Sequence, residues 1–325
     1  MNNWITSEIE LLPEFIIGGA MKSGTSTLHA ILDKHPKIFM PSYEIGFFDI
    51  DNILVHNDFN FYVESKWVNQ SMDKNPKLMW DWYHSKFREG ESLVKGEDST
   101  TYLASKIAAQ RIALQNKEIK LIFLLRQPSL RAYSNYWHLL RTGRATHSFE
   151  DTIRYNPYTI INRSLYKEQI EDYYSFIPKS RIKVIIFENL VNDMENTLRE
   201  ICTFLNIKFE EFPKNVLNTH SNKARVPRNE ILQIRRNLLL RNFGNSRYNN
   251  RLPFKPSKEE NPIPLYAKLL NRLHSKINPH LPISPPKINQ QTKLFLDEYF
   301  YRELLGIDEL INQNALSQWF PDLHN

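Results

Sequence analysis

The chain has 325 residues and a single cysteine, Cys202, so no disulfide can form within it. Cys202 recurs with Leu198, Ile201 and Leu205 on one face of a helical pattern, a place for inert packing and not for a nucleophile. No apolar stretch approaches the roughly 20 residues of a membrane span. The first residues, with Glu8, Glu10 and Glu14, lack the basic start and apolar core of a signal peptide. The ten histidines are scattered and form no Cys/His cluster with ligand spacing, so no metal site is expected. Repeats and low-complexity tracts are also lacking.

What is present begins with the run Phe15-Ile16-Ile17-Gly18-Gly19-Ala20, followed by Met21-Lys22-Ser23-Gly24-Thr25-Ser26-Thr27-Leu28. Leu28, Ile31, Leu32 and His35 then repeat at one-face helical spacing. This reads as a buried strand, a tight turn and a helix start. Unpaired donors and the helix dipole make such a start an anion site, here with a lysine and several hydroxyls beside it. A nucleoside triphosphatase loop would place its lysine after the last glycine, before a hydroxyl that holds Mg²⁺. Lys22 instead precedes Gly24, near the turn entrance, and nothing in the pattern requires a metal.

A second apolar run, Lys120-Leu121-Ile122-Phe123-Leu124-Leu125, suits a strand buried on both faces. It ends in Arg126-Gln127-Pro128-Ser129, with Leu130, Tyr133, Trp137 and Leu140 at helical spacing beyond it. Pro128 fits the first helical position. Arg126 thus falls at the carboxyl end of a parallel strand, the edge where open α/β sheets bind ligands. An arginine fork with the Ser134 hydroxyl suits a phosphate monoester.

At this point the chain resembles the sulfotransferases that use 3′-phosphoadenosine-5′-phosphosulfate (PAPS), in their bacterial and heparan-sulfate-type branch. The resemblance identifies Lys22, Ser23, Gly24, Thr25, Ser26 and Thr27 with the 5′-phosphosulfate loop. It identifies Arg126 and Ser134, within Leu124 to Ser134, with the 3′-phosphate motif. It continues through His35-Pro36, Glu44-Ile45-Gly46-Phe47-Phe48-Asp49, Gly96 to Tyr102, Ser164-Leu165-Tyr166 and Phe187 to Leu190. Weaker likeness runs through Asn222 to Arg228, which nominates Lys223 and Arg228 for the nucleotide, and from Leu296 to Trp319. The resemblance implies PAPS as donor, 3′,5′-ADP as product, no metal, Lys22 and Glu44 as catalytic residues, and Tyr166 beside the nucleotide. Asp49 and His84 are reserve bases. Two positions depart from the family. Asp98 stands where heparan-type members often carry a lysine, and Ser164 stands where glycine is common. Golgi relatives in eukaryotes carry an anchor, so a cytoplasmic and bacterial enzyme is the expectation here.

The implied fold is α/β, a P-loop-like parallel sheet flanked by helices with helical additions at the C-terminal end, taken as one domain over 1–325. Candidate strands are Glu14–Gly18, Ser92–Lys95, Ile119–Leu125 and Arg181–Phe187. Candidate helices are Thr25–Lys34, Ala104–Gln115, Pro128–Arg141, Asn162–Phe176 and Met194–Leu205, the last capped by Asp193. The aromatic-rich stretch 40–91 is an acceptor-side insertion, part accessory core and part pocket wall. Segment 210–290 is basic and helical. Arg228, Arg235, Arg236 and Arg241 flank one set of leucines and isoleucines, and Lys268 and Arg272 another. These are solvated faces, or surfaces for a polyanion or a membrane. Between them, Arg251 to Pro264 is a mobile connection or lid.

Net charge is +6 with a pI near 9.1, in keeping with an anionic donor. The acceptor would be a small molecule or carbohydrate, not nucleic acid. Asp49, Asp51, Asp58, Glu64 and Asp98 favour one that is cationic or neutral. Two other readings stand beside this one: a nucleotide-dependent kinase or phosphotransferase, and a non-catalytic polyanion-binding protein.

Overall fold

The structure, a computed structural model, describes residues 2–219, 225–243, 251–256 and 263–323. Its centre is a five-stranded parallel sheet of β1 (Phe15–Gly19), β2 (Ile38–Phe39), β5 (Val94–Asp98), β6 (Lys120–Leu125) and β7 (Ile182–Ile186), in the order β2-β5-β1-β6-β7. Two antiparallel pairs complete the strands: the hairpin β3 (Phe61–Val63) with β4 (Lys66–Val68), and β8 (Val226–Pro227) with β9 (His280–Leu281). The first nine helices are α1 (Thr25–Leu32), α2 (Pro76–His84), α3 (Lys106–Ala113), α4 (Pro128–Arg141), α5 (Phe149–Tyr155), α6 (Tyr158–Ile161), α7 (Tyr166–Phe176), α8 (Phe187–Asn192) and α9 (Met194–Leu205). Toward the C-terminus follow α10 (Glu230–Leu240), α11 (Leu265–Ile277), α12 (Gln290–Glu303), α13 (Ile307–Ile311) and α14 (Ala315–Trp319). Among the described residues no helix is long and apolar enough to cross a membrane.

Strand alternation divides the core into two layers. Phe15, Ile17, Ile122 and Leu124 face α1 and α9, where Leu28, Ile31, Leu198 and Ile201 close one side. Ile16, Leu121 and Phe123 face the other way, toward Ile112 of α3, Tyr136 of α4 and Tyr173 of α7. Cys202 lies in the first layer, and burial pushes its thiol up to about 11, so it is packing. Asp193 caps α9 by accepting from the Asn196 amide at 3.2 Å.

Three elements depart from the pattern reading by more than their end residues. Charged Gly96-Glu97-Asp98 is strand and not loop, because it pairs with Phe15, Ile16 and Ile17 in the centre of the sheet. The pattern over Ala104–Gln115 begins with a separate 3₁₀ turn, Tyr102–Ala104, and Ser105 takes an extended backbone before α3. Likewise Asn162–Ser164 is a 3₁₀ turn, and α7 starts only at Tyr166.

Candidate active site

The turn after β1 gathers several cations around Lys22. Gly24 caps α1 with φ +89°, and a Cβ there would meet the Phe187 ring at 2.7 Å, so only glycine fits. As a glycine, Gly24 brings no capping side chain of its own to this helix start. Two arginines hold the turn from behind. Arg126, at the end of β6, donates from Nη1 to the Lys22 carbonyl at 3.2 Å and lies 5.1 Å from the centre of the Phe187 ring. Arg131, on α4 and fully buried, donates from Nη1 to the Met21 carbonyl at 3.4 Å. Burial lowers the pKa of Lys22, and the nearby guanidiniums of Arg141 and Arg126 lower it further. Burial also lowers Arg126, and takes Arg131 down to about 10. Cations crowded and desolvated in this way favour an anion between them. The Ser23 hydroxyl, in the same turn, is fully buried and without a hydrogen-bond partner among the described residues.

The other predicted nucleotide residues sort unevenly around this turn. Thr25, Ser26 and Thr27 open α1, and Ser134 lies partly exposed on α4. Tyr166 is fully buried, its hydroxyl donates to the Arg126 carbonyl at 2.8 Å, and its ring packs on Trp319, so it supports Arg126 from the protein side. Arg228 is exposed just after β8, its amide donating to the Pro279 carbonyl at 3.0 Å. Lys223 lies outside the described residues. Ser164, the departure from glycine, is an anchor: its hydroxyl accepts from Arg131 Nε at 2.5 Å and donates to the Pro128 carbonyl at 3.1 Å.

Beside the turn opens a cavity of about 440 Å³, whose lining includes Met21, Glu44, His56, Trp82, Arg163 and Arg251. Glu44 stands on the loop after β2, tied to the sheet where the Ile45 amide donates to the Asp98 carbonyl at 3.3 Å. Its carboxylate accepts from Thr100 Oγ1 at 2.9 Å. Burial, and then the Asp98 charge, raises its pKa to about 7, against the pull of Arg163 and Lys22. A carboxylate poised near neutrality in a cavity has the properties of a general base.

The reserve bases fare differently. His84 is buried against Thr6 and Glu8, away from the cavity lining, because α2 packs its inner face onto the N-terminal segment. Asp49 is buried behind His56, whose Nε2 it contacts at 2.7 Å.

The acidic residues that favoured a cationic acceptor are spent on internal partners. Asp51 is paired bidentately with Arg111, Asp58 with Arg144, Asp49 with His56 and Asp98 with His29. Glu64 sits at the β3–β4 turn and is absent from the cavity lining. The cavity lining carries Arg144, Arg163, Arg241 and Arg251 against Glu44 and Asp58, so its net charge is positive and favours anionic groups. Of the insertion's aromatics, Phe47, Phe48, Phe61, Trp80 and Tyr83 are core, Phe59 and Trp82 line the cavity, and Tyr62 and Trp67 are exposed on the hairpin. The described start of the supposed lid is held down. Trp82 Nε1 donates to the Arg251 carbonyl at 3.1 Å, and Gln70 exchanges hydrogen bonds with the Phe254 backbone at 2.9 and 3.0 Å.

Sequence reasoning passed over Arg163 and His56. Arg163 directly precedes the Ser-Leu-Tyr landmark, and a half-buried cation one residue upstream leaves no periodic signal. His56 fills the space beside Gly46, where a Cβ would stand 3.2 Å from its ring, and only the folded loop reveals that substitution of one side chain's volume for another's.

Residues 13–211 match the model of the sulfotransferase family, and the chain belongs to that family. Over 210 residues it is 26% identical to heparan sulfate glucosamine 3-O-sulfotransferase 5 of Mus musculus, covering 61% of this chain and 55% of the mouse protein. Over 216 residues it is 26% identical to the bifunctional heparan sulfate N-deacetylase/N-sulfotransferase 4 of Mus musculus, covering 60% of this chain and 22% of that protein. The chain thus matches about half or less of the length of these relatives. The whole fold is shared with a sulfotransferase from Alicyclobacillus acidocaldarius, with TM-score 0.59, 22% identity, and coverage of 95% of this chain and 98% of that one. Family membership and the shared fold set the phosphotransferase reading aside.

Proposed function

We propose that this protein transfers the sulfuryl group of PAPS to a hydroxyl or amine of a neutral or anionic acceptor, a carbohydrate or small metabolite held in the cavity. The observation that carries the proposal is the adjacency of two opposite chemistries. A cationic turn with an unpartnered buried Ser23 hydroxyl meets a cavity that holds a carboxylate poised near pH 7. In the step, the acceptor oxygen or nitrogen attacks sulfur as the bond from sulfur to the 5′-phosphate oxygen breaks. The acceptor proton passes to Glu44, and the bonding pair leaves on 3′,5′-ADP. Lys22 and the turn stabilise charge developing on the leaving oxygen, while Arg126, with Ser134, takes the 3′-phosphate.

The relatives named for heparan sulfate, together with Arg163 and Arg251 in the cavity lining, support a carbohydrate acceptor over a cationic one. The test is sulfuryl transfer from PAPS to a panel of unsulfated acidic oligosaccharides, neutral glycosides and polyamine-bearing sugars, with 3′,5′-ADP release measured in parallel. Transfer confined to the first two groups is the expected outcome. Binding of ATP in preference to 3′,5′-ADP without magnesium would overturn the donor assignment.

A further inference from the structure

Helix α11 presents an apolar row that nothing in the described protein covers. Leu265, Leu269, Leu273 and Ile277 follow one another at i, i+4 spacing and are 75%, 50%, 62% and 63% exposed. The opposite side of the helix is the inner one. Ala267 is buried there, Asn271 accepts from Arg236 at 2.7 and 2.9 Å, and His274 contacts Gln233 at 3.0 Å, so α11 is seated on α10. Four large apolar side chains in line on a solvent face are an interaction surface and not scattered exposure.

The charges beside the row narrow what covers it. Lys268, Arg272 and Lys276 run along one flank of the apolar row, and Leu265–Ile277 contains no Asp or Glu. The same asymmetry extends over the region. From Arg225 to Leu281 the sequence holds twelve lysines and arginines against three glutamates, while the whole chain nets +6. The molecule outside this region is therefore net acidic, and its basic charge is concentrated where the leucines are. Next to α11, α10 adds exposed Ile231, Leu238 and Leu239 around Arg235.

We propose that the outward face of α11, with that of α10, docks onto an anionic lipid surface, the helix lying in the plane of the membrane. An interface of this kind takes leucines into the acyl boundary while lysine and arginine stems reach back to the headgroups. Each cation then contributes about fivefold to partition onto an anionic leaflet. The alternatives fit less well. A second copy would bring the same row of cations against itself. A soluble polyanion would neutralise the cations but leave the leucines in water. Docking this face also sets the acceptor cavity near the lipid, because Arg241, at the end of α10, is part of its lining.

The test is sedimentation of the full chain with phosphatidylcholine vesicles, with and without phosphatidylglycerol, at low and high salt. Wild type is expected to bind the phosphatidylglycerol vesicles and to be released by salt. The variant Leu269→Ser/Leu273→Ser should lose about tenfold or more in partition. The variant Lys268→Gln/Arg272→Gln/Lys276→Gln should lose on the order of 10²-fold. Both variants alter only exposed positions away from the active site, and melting curves and 3′,5′-ADP binding should match wild type. The proposal is overturned if wild type does not bind phosphatidylglycerol vesicles. It is also overturned if the serine variant binds undiminished, which would assign the face to simple polyanion attachment. A serine variant that turns a dimer into a monomer on size exclusion, with vesicle binding unchanged, would assign the face to self-association and equally overturn it.

Discussion

Glu44, which lines the cavity, is fastened to Asp98 of β5 behind it. The amide following Glu44 donates to the Asp98 carbonyl at 3.3 Å, and the Asp98 carboxylate is the largest charge contribution holding Glu44 near pH 7. Asp98 in turn is paired with His29 at 3.3 Å, and burial raises its own pKa. Asp98, standing where heparan-type members often carry a lysine, therefore acts on the proposed base. Where a lysine would depress the pKa of Glu44, Asp98 raises it.

A base must be ionised to accept a proton, so activity should rise with pH through about 7, the pKa of Glu44. Asp98→Asn removes the like charge, and the acidic limb of the kcat/KM profile is expected to move to lower pH. A profile that does not move would mean that the limb belongs to another group.

Glu44→Gln is expected to lower single-turnover sulfuryl transfer by about 10²–10⁴-fold. The change keeps the side chain's shape and removes a carboxylate that is costly to ionise where it is buried. Affinity for 3′,5′-ADP and melting temperature should therefore stay at or above wild type. Retained transfer would leave the proton to the acceptor's own acidity, or to His56 with Asp49 behind it.

Lys22 and Arg126 should separate chemistry from binding. Lys22→Ala is expected to cost about 10²-fold or more in turnover at saturating PAPS, as for loss of one transition-state donor. Arg126→Ala should weaken 3′,5′-ADP much more than 5′-AMP, since a charge-assisted hydrogen bond is worth about 1.5–3 kcal/mol. Because Arg126 also holds the Lys22 carbonyl, some loss of turnover should accompany it, smaller than that of Lys22→Ala. Calorimetry with the two nucleotides reads the difference.

Glu97 gives a stability prediction. It is fully buried, accepts from Ser99, Tyr102 and Tyr83 at 2.6, 2.6 and 2.5 Å, and burial raises its pKa from 4.5 to about 7. A raised folded-state pKa means that the group's contribution is full below its unfolded pKa and is lost as pH rises through the folded one. The stability advantage of wild type over Glu97→Gln should thus be largest near pH 4.5 and shrink as pH passes about 7. At the acid end the variant should be less stable by about 1–3 kcal/mol, because an amide N–H₂ faces a tyrosine hydroxyl that has lost its acceptor. Thermal melts of both proteins across this range provide the check.

The elements that carry the site were legible because they obey local rules. An apolar run closing in small residues, followed by one-face spacing, located β1 and α1. A run ending in Arg-Gln-Pro located β6 and α4, the latter at its observed limits, Pro128–Arg141. The central strand β5 was displaced because its residues are chosen for what they meet in space: Glu97 for three hydroxyls, Asp98 for His29. A buried charged strand has no signature in periodicity. The burial of Tyr166 was equally hidden, since sequence neighbourhood to a binding landmark does not say on which side of the backbone a ring will lie.

The sequence by itself determined the order of strands and helices, the anion turn with Lys22, the strand-end Arg126 and the glutamate before Phe47-Phe48. Each depends on hydrophobic spacing, on dihedral preference or on a contiguous motif, all of which are local. Only the tertiary structure decided the sign of the acceptor cavity. Five acidic residues in or beside the expected acceptor region favoured a cationic or neutral acceptor. Folding pairs four of them with Arg111, Arg144, His56 and His29 and leaves the fifth outside the lining, while arginines from distant segments, Arg163, Arg241 and Arg251, converge on the cavity. Charge adds along the chain, but potential depends on distance, and distance is set only when the segments pack.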